Sequence, residues 1–74
     1  MAFKVGDVVT IKPGTTYYHQ IQRWGKQEAT VVRIEDSDER DWVHVIALGT
    51  GYTNVYPVPD LMLVKAKRVN QWPK

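Results

Sequence analysis

Two prolines two residues apart, Pro57 and Pro59, restrict the fold of this chain more than any other feature. They stand between Tyr52–Tyr56, an extended run of aromatic and β-branched types, and the apolar stretch Leu61–Val64. Proline has no amide hydrogen to give to a sheet ladder, so a regular strand should stop near Tyr56. Pro57 to Asp60 then reads as a tight corner, one turn of 3-10 helix, with a last strand beginning at Leu61. Gly49, Thr50 and Gly51 mark a turn before this unit.

The rest of the chain supplies three more strands. Phe3 to Asp7 leads through a Gly-Asp turn into Val8–Ile11, four β-favouring residues. Lys12-Pro13-Gly14 ends that strand, with proline suited to the second turn position and Gly14 tolerant of positive φ. Thr15 to Gly25 has no clean period and reads as a long loop folded over the sheet, holding Tyr17, Tyr18, His19 and Trp24. A strand follows from about Ala29 to Ile34, where adjacent Val31 and Val32 suggest cover on both faces. Glu35 to Asp41 carries six charges in seven residues and reads as an exposed hairpin connection. In Trp42–Leu48, Val43, Val45 and Ala47 share one face and Trp42, His44 and Ile46 the other. No 3.6-residue period persists, so the expected fold class is all-β, a five-stranded barrel with a 3-10 turn before the last strand. The expected core is Val9, Ile11, Val32, Val43, Val45, Val55, Leu61 and Leu63. The division expected is 1–64 for the barrel and 65–74 for a basic C-terminal tail.

Composition narrows the function. Seventy-four residues make one small domain, and without cysteine there is neither a disulfide nor a thiolate metal site. The apolar fraction of 43% fits a folded domain, and no apolar run approaches the ~20 residues of a membrane span. The N-terminal MAFKVGD lacks a secretory apolar stretch, so a cytoplasmic location is the expectation. A net charge of +2 is a weaker basic excess than a dedicated DNA-coating protein needs.

With these pieces placed, VGDVVTIKPGTTYY, GKQEATVVRI, WVHV and GYTNVYPVPDL together resemble the KOW-like and SH3-like small barrels of bacterial and phage proteins. The likeness runs from about Phe3 to Val64 and puts the long loop where an SH3 domain carries its RT loop. It implies a fold more than a function, because such barrels bind RNA, DNA, peptides and other subunits. Two narrower likenesses exist. VVTIKPGTTYY looks like the small stromal SH3-like subunit of photosystem I. TNVYPVPDL is similar to type II (plasmid-borne) dihydrofolate reductase, a homotetramer of such barrels with a Val-Gln-Ile-Tyr-Pro-Val motif. Tyr56 matches that family's tyrosine. Asn54 stands for its glutamine and Val55 for its isoleucine, and the family's functional lysine falls on Ile11, one place from Lys12. In a strand, one place means the opposite face.

No phosphate-cradling loop or metalloprotease motif is present, and His19 and His44 are the only histidines. Asp41 stands near His44, and Glu35/Asp36 with Asp38/Glu39 form paired carboxylates; all read as a solvated loop. The aromatics are more informative. Three Trp, four Tyr and one Phe exceed what so small a core hides easily. One reading completes the core with Phe3, Tyr56 and a single Trp. The other gathers a partner-binding face from Tyr17, Tyr18, Trp24, Trp42, Tyr52, Asn54 and Tyr56, able to pack against an extended peptide or to stack bases. The expected function is a non-enzymatic SH3-like binding module for a protein partner, monomeric or a small homo-oligomer, with no catalytic residue, cofactor or metal. The alternative is a KOW-like nucleic-acid-binding module using Lys65, Lys67, Arg68 and Lys74. A type II dihydrofolate reductase-like enzyme is the third reading.

Overall fold

A computed structural model describes residues 3–66. Five strands follow one another: β1 (Val8–Ile11), β2 (Ala29–Glu35), β3 (Trp42–Ala47), β4 (Thr53–Pro57) and β5 (Leu61–Lys65). Two 3-10 segments, η1 (Tyr18–Trp24) and η2 (Val58–Asp60), complete the regular structure. The strands form one antiparallel sheet in the order β4-β3-β2-β1-β5. The fold is all-β, consistent with an SH3-like small barrel. The proline corner forms as the sequence requires: Pro57 ends β4 in an extended conformation, Val58–Asp60 makes one 3-10 turn, and β5 opens at Leu61.

Alternation along the strands builds the core. Val9, Ile11, Ala29, Val31, Val43, Val45, Ala47, Tyr56 and Leu61 point inward, joined by Phe3, Ile21 and Trp24. Each fully buried branched side chain stabilises the fold by about 1.5–3 kcal/mol. Two expected core residues are exposed instead. Val32 is 42% exposed because its neighbour Val31, opposite the buried Val45, takes the core side of β2. A bulge between Val31 and Arg33 leaves Val32 without a partner, so Arg33 also faces outward, opposite His44, and Ile34 returns to the core side opposite Val43. Leu63 is also exposed, since it lies in β5 at the margin of the sheet. Val55 is only half-buried, because it shares the outer face with His44.

The stretch Thr15–Gly25 differs from the structureless loop expected. Residues 18–24 wind into seven residues of 3-10 helix, with Ile21 and Trp24 turned into the core. These two residues lie three apart, which is the repeat of a 3-10 helix and puts both on one side. Gly14 takes the positive φ expected of its turn, at 88°. Lys65, expected in the tail, is the last residue of β5. Lys67, Arg68 and Lys74 lie outside the described residues.

Candidate functional site

The two-residue period of β4 divides the expected binding face in two. Val43 pairs with Tyr56 and Val45 with Asn54, so Asn54 and Tyr56 face inward with the core side of β3. Tyr52, whose carbonyl accepts the Ala47 amide at 2.8 Å, continues the same side. Trp42 pairs with Pro57, His44 with Val55 and Ile46 with Thr53, and these six form the outer side. Trp42 is therefore separated by the sheet from the tyrosines it was expected to join.

On the inner side, η1 lies over β4 and a chain of hydrogen bonds ties them. The Tyr56 hydroxyl donates to Gln20 Oε1 at 2.8 Å and accepts from Trp24 Nε1 at 3.3 Å. Asn54 Nδ2 donates to the same Gln20 oxygen at 2.7 Å and to the Tyr52 hydroxyl at 3.2 Å. Asn54 Oδ1 accepts the Val55 amide at 2.8 Å. Tyr17 and Trp24 both meet the Tyr56 ring edge-on, at 5.8 Å between centroids. Trp24 and Tyr56 are both 0% exposed, so neither contributes to a partner surface. The sequence could not separate these two aromatics from the others, because burial by η1 depends on a helical turn with no period long enough to see. Tyr17 and Tyr52 are half-buried against the core, Arg23 stands 5.9 Å from the Tyr52 ring centre, and Tyr18 is exposed.

Burial raises the pKa of the Tyr56 phenol above its usual value. A raised folded-state value means that the tyrosine's contribution is complete below the unfolded pKa, near 10, and is lost as pH rises through the folded one. Tyr56→Phe keeps the ring and removes the hydroxyl, stranding the buried Trp24 indole N–H. The expected cost is about 1–3 kcal/mol, read from the urea midpoint at constant slope. A midpoint equal to wild type would mean that the hydroxyl bonds contribute nothing net.

The outer side of β2, β3 and β4 is arranged in rows. Glu35, Trp42 and Pro57 form one, Arg33, His44 and Val55 the next, and Thr30, Ile46 and Thr53 the third. The bulged Val32 adds an apolar group between the last two rows. Val32, His44, Ile46, Thr53 and Val55 surround a groove of about 380 Å³, with Val32 and Ile46 prominently exposed. At the upper row, His44 Nε2 donates to Glu35 Oε1 at 2.7 Å. That hydrogen bond first, and the charge of Arg33 second, hold the Glu35 carboxyl below its usual pKa. His44 thus pairs with Glu35 rather than with Asp41. Arg40 stands 6.0 Å from the Trp42 ring centre, and Ser37 closes the acidic turn through hydrogen bonds with the Arg40 backbone.

Among the described residues, no group of three or more His, Cys, Asp or Glu is placed to hold a metal, and no helix is long and apolar enough to cross a membrane. Of the residues in the reductase-like stretch, Tyr56 turns into the core, and Ile11, at the lysine position, is fully buried. The groove residues Val32, His44, Ile46 and Val55 were not foreseen as a site; the doubled valine at 31–32 was its one signal, read there as double-sided cover rather than as a bulge. No family model, curated protein or solved structure matches this chain.

Proposed function

We propose that this chain is a non-enzymatic SH3-like binding module whose outer β2–β4 face receives an extended segment of a protein partner. The observation that carries this reading is the 380 Å³ groove lined by Val32, Ile46 and Val55. Exposed apolar groups gathered at a concavity mark interaction surfaces on small domains. The partner chemistry follows from the neighbouring charge. Glu35 is hydrogen-bonded to the groove residue His44, and the acidic stretch Glu35–Asp41, with Arg40 as its one cation, runs from there to Trp42. An apolar segment flanked by Lys or Arg is complementary to this stretch, and the field would speed its encounter. A nucleic-acid backbone would meet the same carboxylates as repulsion. Trp42 supplies an aromatic anchor of the type enriched in dominant contacts.

The test uses synthetic peptides with alternating apolar residues, flanked on one set by Lys and on the other by Glu. Titration followed by amide chemical shifts should move Val32, His44, Ile46 and Val55 with the Lys-flanked set and not with the Glu-flanked set. Ile46→Asp should weaken binding at least tenfold, about 1.4 kcal/mol, with the fold retained because the side chain points outward. Shifts confined to Tyr17, Tyr18 and Tyr52 would move the partner face to η1, and no shift with any peptide would remove the reading.

A further inference from the structure

The sheet has two margins, β4 and β5, and they are built differently. Ala47 donates to Tyr52 across the β3–β4 hairpin, which fixes the ladder's parity. Asn54 and Tyr56 turn their amide groups toward β3, while Thr53, Val55 and Pro57 turn theirs away. Of those three, the Val55 amide is taken by its neighbour's Asn54 Oδ1, and Pro57 has no N–H. The β4 margin is therefore largely closed to another strand.

Among the described residues, the β5 margin is open. Lys12 donates to Asp60 at 2.8 Å, and the register Thr10–Met62 and Val9–Leu63 follows from it. Met62 then faces β1 with its amide groups, and Leu63 turns both N–H and C=O outward. Leu61 turns outward too, its N–H held by the Val58 carbonyl in η2 and its C=O left facing the margin. Met62, Leu63 and Val64 are 43%, 47% and 46% exposed, three consecutive apolar side chains on a strand that pairs, among the described residues, with β1 alone. Margins of this kind template pairing with another chain.

We propose that β5 pairs antiparallel with β5 of a second copy, about a two-fold axis through Leu63. In that register the Leu63 N–H of each copy donates to the Leu63 C=O of the other, so the open donor and acceptor satisfy one another. Two-fold antiparallel pairing requires one residue to oppose itself, and Leu63 is the central outward-facing residue of β5. The charges agree: β5 is irregular at Val64, where the register with β1 shifts, and antiparallel pairing carries Lys65 beyond that point toward the Asp60 end of the second copy. The contact is isologous, as in every two-fold dimer, the commonest arrangement of soluble homo-oligomers.

The test is sedimentation equilibrium of the full chain, with amide hydrogen exchange at matched concentrations. The mass should rise from 8.5 kDa toward twice that as concentration approaches about 1 mM. The Leu63 amide should become protected over the same range. Leu63→Pro removes only a donor that faces away from β1, so it should abolish the mass increase while the cooperative unfolding transition survives. Met62→Lys/Val64→Lys, which leaves the backbone donors in place, should shift dimerisation at least tenfold in concentration. A mass that stays at 8.5 kDa overturns the proposal. So does Leu63 protection that is independent of concentration, which would mean that the chain covers its own margin. A dimer that survives both variants also overturns it, by placing the contact elsewhere.

Discussion

Trp24→Ala should unfold most of the protein at 25 °C. The side chain is fully buried and is the largest in the core. Truncating a buried tryptophan costs about 3–5 kcal/mol through lost transfer energy and the cavity left behind. A domain of this size has a total stability near the lower end of about 5–15 kcal/mol. The loss is compounded by position, because Trp24 ends η1 and carries the edge-on contact and hydrogen bond that hold η1 to Tyr56. Urea titration with near-ultraviolet circular dichroism gives the readout. Tyr18→Ala, at the other end of η1 and exposed, should fall within about 0.5 kcal/mol of wild type. A cooperative transition in Trp24→Ala with less than about 1 kcal/mol lost would show that η1 does not contribute to the core as its burial implies.

Gly49→Ala is the second large effect. A Cβ at Gly49 would lie 2.8 Å from the Lys26 nitrogen, 2.9 Å from the Trp24 oxygen and 3.0 Å from the Gly25 Cα. All three are backbone atoms, so no rotamer change relieves the overlap. The crowding sits where the β3–β4 turn meets the end of η1, fastened by Thr50 Oγ1 donating to the Arg23 carbonyl at 2.7 Å and by Leu48 N–H donating to Glu28 at 2.9 Å. Forcing these segments apart should cost about 3 kcal/mol, the upper range for overpacking. Gly51→Ala is the control. Its φ of 73° makes a side chain strained, yet nothing lies within 4 Å of the added Cβ. Its cost should be about 1 kcal/mol, that of a left-handed residue alone. Equal losses in the two variants would mean that conformation, and not close approach, sets the penalty at Gly49.

The sequence was most legible where a local rule had no competitor. Pro57 and Pro59 allow few backbones, and the strand, corner and closing strand form where they require. The split of β3 into Val43, Val45, Ala47 and Trp42, His44, Ile46 followed from alternation alone. Val32 was misplaced where β2 bulges, because the doubled valine at 31–32 does not say which of the two takes the core side. Alternation also could not tell that Leu63, facing the core side opposite Val9, lies where the sheet ends. The aromatic set was the least legible. Tyr52, Asn54 and Tyr56 stand at every second residue, and that spacing equally serves an open face or one covered by another segment. What covers them is η1, whose Gln20 and Trp24 come from more than thirty residues earlier. Long-range cover of this kind leaves no periodic trace in the covering segment when it is only seven residues long.

The unlike margins of the sheet set a limit on growth. A sheet with two open margins adds copies without end, since each newcomer presents a fresh template. Here Asn54 occupies the Val55 amide and Pro57 offers none, so two of the three outward positions of β4 give no donor to a further strand. Once two β5 strands have joined, the ten-stranded sheet they form shows a β4 strand at each end, and propagation is disfavoured. Of the two blocking residues, Asn54 acts through its carboxamide, and Asn54→Val would free the Val55 donor. That variant is the one in which a finite assembly would be expected to turn into fibres.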